Sequence, residues 1–146
     1  MPKEKGRSSM QLTPYLLFDG TCKKAMEFYH SVLGGNLAVT QVKNSPASEH
    51  MQAFQQEKVV NAHLESGVMQ IPASDWLMLD KKPNPGNTVC LYLSGGTLEE
   101  LTSLFEKLSA GADVTNPLQP TFFGTYGALN DRFGVRWMFV CKNAGN

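Results

Sequence analysis

Cysteine is scarce and arranged so as to exclude two kinds of scaffold: among 146 residues only Cys22, Cys90 and Cys141 carry a thiol. An odd number of widely spaced thiols with no C-x-x-C pair builds neither a disulfide framework nor a four-cysteine zinc site. Charge of one sign is missing too. Thirteen Lys and Arg balance thirteen Asp and Glu, so the chain lacks the basic excess with which proteins displace counterions from nucleic acid or an anionic membrane. It also lacks the run of about 20 apolar residues that spans a bilayer. The opening residues carry no apolar segment of the secretory kind. These absences favour a reducing, cytoplasmic setting, with a small molecule as partner and neither nucleic acid nor membrane. What remains suffices for a core, because 42% of the residues are hydrophobic and 18% charged is too few for a disordered chain. The length suits one domain, or two half-size modules sharing a sheet.

The first ten residues read as a tail, 11–141 as one domain, and 142–146 as a second tail. Leu12 to Phe18 is strand-like up to the break at Asp19-Gly20. Cys22, Ala25, Met26, Tyr29, Val32 and Leu33 then share one helical face, and Gly34-Gly35 stops the helix. Leu37–Val42 is a candidate strand, Lys43–Lys58 a polar loop. A hairpin follows from Val59 to Ser66 and Val68 to Ile71, resuming at Trp76–Leu79 after a break at Pro72. Past the turn-rich Lys81 to Gly86 the order starts again. Thr88–Leu93 reads as a strand, and Thr97 with Glu100 as a capping box. Leu98, Leu101, Leu104, Phe105 and Leu108 form the apolar stripe of a second helix ended by Gly111. Strands are expected at Val114–Leu118, Tyr126–Asn130 and Val135–Cys141.

The halves superimpose. Asp19 falls on Gly95 and Gly35 on Gly111, 76 residues apart, while Ala62–Ser66 falls on Gly127–Asp131 with an offset of 65 and Gly67–Ile71 on Gly134–Met138 with an offset of 67. The shrinking offset follows if Lys43–Lys58 is about ten residues longer than its counterpart, by the same arithmetic. A duplicated strand-helix-three-strand unit, at about 11–80 and 87–141, is the main structural inference.

That unit, with Phe28-Tyr29 before Val32-Leu33-Gly34, Pro14-Tyr15 at the first strand, Thr121-Phe122-Phe123-Gly124 and the Asp131-Arg132-Phe133-Gly134-Val135-Arg136-Trp137 stretch, resembles the vicinal oxygen chelate superfamily. The resemblance is nearest to the PhnB-like branch of its glyoxalase, bleomycin-resistance and dioxygenase group. It implies an α+β fold in which duplicated βαβββ modules form a curved mixed sheet around a cavity, and a homodimer. It also implies a divalent metal held by one inward ligand near the first and last strand of each module. Pro14, Thr88 and Met138 stand at three of those places and leave only Asp80, or Leu79 beside it, at the fourth, so the standard quartet is broken. Some members of the branch carry a demethylubiquinone methyltransferase label. The chain has no Gly-rich strand-to-helix turn with a following acidic residue to support methyl transfer.

The alternation of Val60, Ala62 and Leu64 with Asn61, His63 and Glu65 sets the polar residues on one sheet face. His63 and Glu65 are then about 7 Å apart along the strand, within reach of one substrate proton or metal. They are the candidate catalytic pair, with His63 and Asp80 as the ligands of any retained metal. The resemblance sets Gln119, Phe122 and Tyr126 at the cavity mouth, where aromatic walls suit a planar or apolar ligand. Trp76 and Asp80 border the same pocket. Arg136 alternates onto the face of Met138, where a guanidinium favours a carboxylate or phosphonate. Cys90 reads as a small hydrophobe without an activating histidine. The leading expectation is a cavity protein of the PhnB-like type that binds a small organic ligand. The alternatives are a His63-based lyase, isomerase or hydrolase, and a protein that sequesters an antibiotic or toxic compound.

Overall fold

Two copies of one element order make up the chain in the computed structural model, which describes residues 10–142. The terminal segments expected to be tails therefore lie, apart from Met10 and Lys142, outside the described residues. The first copy runs β1 (Leu16–Phe18), α1 (Cys22–Leu33), β2 (Asn36–Gln41), three short 3-10 turns, β3 (Val59–Ser66) and β4 (Met69–Asp75). The second runs β5 (Leu91–Ser94), α2 (Leu98–Leu108), β6 (Asp113–Thr121), β7 (Gly124–Asn130) and β8 (Arg136–Cys141). Each copy closes its own four-stranded mixed sheet, in the orders β1-β4-β3-β2 and β5-β8-β7-β6. In both, the strand before the helix pairs parallel with the last strand.

Periodicity places α1 correctly: Cys22, Ala25, Met26, Tyr29 and Val32 are buried. At its end Gly35 adopts φ +87°, where a Cβ would collide with the backbone carbonyl of Glu65, so glycine lets β2 enter the sheet directly beside the helix. The second helix is capped as its sequence predicts, the Thr97 hydroxyl accepting from the Glu100 amide at 3.1 Å. It buries Leu101, Phe105 and Leu108. Both helices cover one face of their sheets and join in a single core through Ala62, Leu64, Ile71 and Ala73 on one side and Leu129, Trp137 and Phe139 on the other.

Five expectations about strands need correction. The first strand starts at Leu16, not Leu12, and the fifth at Leu91, not Thr88. Pro72 does not interrupt β4. Pairing with β1 begins only at Ala73, so Pro72 occupies the uncovered part of that edge, where a missing N–H is tolerated. Trp76–Leu79 does not continue as a strand. Finally, β6 extends to Thr121 through Pro117 and Pro120, because it is an edge strand whose pairing with β7 shifts register twice.

The repeat also takes a finer register. Leu64 faces Ile71 and Leu129 faces Trp137, so β4 maps on β8 with an offset of 66 rather than 67. Met138 thereby corresponds to Pro72. No helix among the described residues is long and apolar enough to cross a membrane.

Candidate functional site

The helix-free faces of the two sheets carry the polar residues singled out above, in two separate groups. On the first sheet, His63 is half-buried between Ala38 of β2 and Pro72 of β4, while Glu65, facing Asn36 and Gln70, is exposed. His63 and Glu65 share that face as alternation requires. Among the described residues no side-chain hydrogen bond fixes either. Asp80 lies in a bend five residues beyond the end of β4 and is exposed. No three His, Cys, Asp or Glu side chains of the described residues converge on a point that could hold a metal ion.

On the second sheet, register sets Gln119 opposite Tyr126, Tyr126 opposite Val140, and Asn130 opposite Arg136. Arg136 is braced in a small network, its Nη1 donating to Thr115 Oγ1 at 3.2 Å and to Asn130 Oδ1 at 3.3 Å. Thr115 is the extra residue of a bulge between Val114 and Asn116. Such an insertion re-aims a side chain, and here the hydroxyl meets Arg136. Phe122 projects from the β6–β7 turn at 93% exposure, stacked edge-on against Phe123, which in turn meets Tyr126.

None of His63, Glu65, Asp80, Gln119, Phe122, Tyr126 and Arg136 lines the crevice that opens between the modules, which measures about 330 Å³. Its walls come from the hairpin end of β4 (Met69, Ile71), from β5 and the residue before it (Cys90, Tyr92, Leu93), and from Trp137. The crevice exists because β1 covers only Ala73 to Asp75 of β4, leaving Met69 to Ile71 without a neighbour on that edge. A second hollow of about 430 Å³ lies beside the N-terminus of α1, where Trp76 meets Phe18, Phe133 and the inter-module segment around Pro83 and Pro85. Trp76 is held there by its indole N–H, which donates to the Lys81 carbonyl at 2.8 Å.

Two buried carboxylates that sequence reasoning left out set this geometry. Asp131 accepts from Tyr29 Oη at 2.6 Å, from Trp137 Nε1 at 2.9 Å and from the amides of Phe133 and Val135. It thus ties α1 of the first module to β8 of the second. Burial, reinforced by the Asp131 charge, holds the Tyr29 phenol well above its ordinary range. Asp75 accepts from the amides of Gly20, Cys22 and Val59, so the N-terminus of α1 is already occupied by a carboxylate of the same module. Burial, followed by the Asp75 charge, pushes the Cys22 thiol up to about 12. The sequence signal for Asp131 is local: an aspartate followed by a tight Phe-Gly-Val turn suits a carboxylate that accepts from the next amides. Asp75 has no such signal, since its partners are 16 to 55 residues away.

Comparison with known proteins agrees with this architecture. The family described as 3-demethylubiquinone-9 3-methyltransferase matches residues 10–140. The chain is 30% identical over 142 residues to protein YjdN of Escherichia coli strain K12, covering 88% of this chain and 93% of that protein. Among solved structures, protein PA1353 of Pseudomonas aeruginosa superimposes with TM-score 0.81 at 35% identity, over 92% of this chain and 98% of that one. A putative 3-demethylubiquinone-9 3-methyltransferase, PhnB protein, from Bacillus cereus gives 0.70 at 23% identity, over 90% and 99%. The fold recurs in a glyoxylase/bleomycin resistance protein/dioxygenase domain from Frankia sp. EAN1pec, with TM-score 0.56 at 21% identity over 95% and 96%. With two βαβββ modules and a match along nearly its whole length, the chain belongs to the family described as 3-demethylubiquinone-9 3-methyltransferase and has the fold of the PhnB protein and of the glyoxylase/bleomycin resistance protein/dioxygenase domain.

Proposed function

We propose that the chain binds a small, mainly apolar organic molecule in the crevice between its modules. The observation that carries this reading is the crevice itself. Its volume of about 330 Å³ falls at the lower end of small-molecule sites, and apolar walls with few polar groups are what such sites present. Met69, Ile71, Leu91, Leu93 and Trp137 supply the walls, and Gln70, Cys90 and Tyr92 the polar atoms.

Residues at the superfamily's metal positions do not fit a hard divalent cation. Pro14 has no side-chain donor, the Met138 thioether is too soft, and Thr88 and Asp80 alone do not make up a ligand set. His63, half-buried on β3, and Asp80, exposed in the bend beyond β4, belong to no cluster of three potential metal ligands among the described residues. Methyl transfer also finds no support in the chain's own residues. The N-terminus of α1, where an anionic cofactor group would be held, is filled by Asp75.

The same reading includes a homodimer in the cytoplasm. Leu17 of β1 and Tyr92 of β5, on edge strands, are 49% and 57% exposed and offer apolar surface to a second copy. All three cysteines are free thiols, as a reducing compartment keeps them.

N-phenyl-1-naphthylamine, an uncharged aromatic whose fluorescence rises in apolar surroundings, tests the crevice. Saturable binding at one probe per chain and a raised melting temperature are expected, since a ligand of the native state stabilises it. Met69→Trp, which fills the crevice at a half-buried position next to the hairpin turn, is expected to weaken that binding at least tenfold while the urea midpoint changes little. Equal binding by wild type and Met69→Trp overturns the reading.

A further inference from the structure

We infer that the crevice ligand is an organic amine in its protonated form, with its apolar body in the crevice and its ammonium group against the carboxylate of Glu100. The inference rests on the crevice reading and adds the chemical class of the ligand to it.

Where the crevice leads comes first. Along Met69, Tyr92 and Leu93 it adjoins a hollow of about 510 Å³, whose wall contains the same three side chains together with Val68, the Ser94-Gly95-Gly96 turn and Glu100. Only Gly95, Gly96 and Thr97 separate the end of β5 from the start of α2. The strand that walls the crevice therefore also delivers the carboxylate. A molecule lying along β5 from Cys90 toward Ser94 passes from apolar walls to this acid.

Charge comes next. Among the described residues no Lys, Arg or His lines the crevice or the hollow, and Glu100 is the one charged side chain in the two walls. Its Oε1 accepts from the Thr97 hydroxyl at 3.2 Å. The carboxylate also lies over Gly96, where a Cβ would stand 3.5 Å from Oε2. Gly95 and Gly96 line this side of the hollow with backbone alone. Among the described residues Oε2 accepts no hydrogen bond and the carboxylate has no ion-pair partner. The group is thus held in place before a ligand arrives, with one oxygen left for a donor, which lowers the entropy lost on binding. An ammonium group donates to that oxygen in a charge-assisted hydrogen bond. An anion would meet like charge with no basic side chain in the wall to offset it, so the walls discriminate by sign.

Three probes with one skeleton separate this from the crevice reading: 1-naphthylmethylamine, a cation at neutral pH, the neutral 1-naphthylmethanol, and the anion 1-naphthylacetate. Calorimetric titration of wild type at low salt is expected to give about fivefold or tighter binding of the amine than of the alcohol, between the effect of an exposed ion pair and that of a desolvated charge contact. The acetate should bind weakest. Glu100→Gln keeps the side chain that a capping box accepts at this position, so the urea midpoint should hold. It should bring the amine within twofold of the alcohol and leave the alcohol itself unchanged. Glu106→Gln, an exposed acid on α2 outside both walls, should keep the wild-type preference. If the alcohol saturates but wild type binds the amine no tighter, or Glu100→Gln keeps the preference, the ammonium subsite is refuted and the crevice stands. A parallel loss of amine and alcohol in Glu100→Gln also refutes it, as does an equal loss of preference in Glu106→Gln, which would reflect net charge alone. If neither the alcohol nor N-phenyl-1-naphthylamine saturates on wild type, the crevice reading itself fails.

Discussion

Replacing Asp131 by alanine should loosen the junction between the two modules. The carboxylate is 5% exposed and accepts four hydrogen bonds, two from the side chains of Tyr29 and Trp137, themselves buried to 0% and 1% exposure. Truncation leaves a phenol O–H and an indole N–H without acceptors in the core. Each such buried donor costs about 1–3 kcal/mol. The turn amides of Phe133 and Val135 lie nearer solvent and add less. About 4 kcal/mol is therefore expected, a large fraction of the roughly 5–15 kcal/mol that holds a domain of this size. At about 2–4 °C per kcal/mol for chains near this length, the melting temperature should fall by about 10–15 °C. Urea unfolding followed by tryptophan fluorescence measures the loss. Tyr29→Phe and the double variant complete a cycle whose coupling between Tyr29 and Asp131 should reach about 1–2 kcal/mol. A loss below 1 kcal/mol in Asp131→Ala, or no coupling in the cycle, would refute the assignment of this carboxylate as the inter-module tie.

Two glycines should respond in opposite ways. A Cβ on Gly127 would stand 2.8 Å from Leu118 Cδ2 and 2.9 Å from Phe105 Cε2, so Gly127→Ala overpacks the contact between α2 and its sheet and should destabilise by about 1–3 kcal/mol. Gly86 has nothing within 4 Å of such a Cβ, and Gly86→Ala should be neutral or slightly stabilising by thermal denaturation. Thiol reactivity should divide two ways by position. With Cys22 and Cys141 buried, Cys22 raised to about 12 and Cys90 half-exposed, a disulfide reagent at pH 8 should titrate one thiol per native chain quickly and three after unfolding. Fast modification of two or more native thiols would contradict this burial.

Much of the architecture was legible because the helices advertise themselves at spacing 3.6 and the hairpins by alternation. The stripes of Cys22 to Val32 and Leu101 to Leu108 are the observed core faces, and the Thr97 cap forms as written. The same local patterns, laid over each other, revealed the duplication. Alternation also assigned His63 and Glu65 to one face, and Arg136 to another with Met138. What it could not supply was distance between strands of different modules. The resemblance to the PhnB-like branch set Gln119, Phe122, Tyr126, Trp76 and Asp80 around one cavity. The fold distributes them among a sheet face, an exposed turn, a second hollow and a bend, while Met69, Ile71 and Leu93, which carry no polar signal, wall the crevice.

By itself, then, the sequence determined the elements, their order, their repetition and which side of each strand is polar, since these depend on neighbours within a few residues. The tertiary structure decided where the modules meet. Asp131 joins Tyr29 and Trp137 across 102 and 6 residues, and Asp75 gathers amides from the start of α1 and of β3. A one-residue difference in hairpin loops moved the partner of Met138 from Ile71 to Pro72. Such contacts depend on chain closure over long separations, where a single residue of register turns a side chain from core to open face.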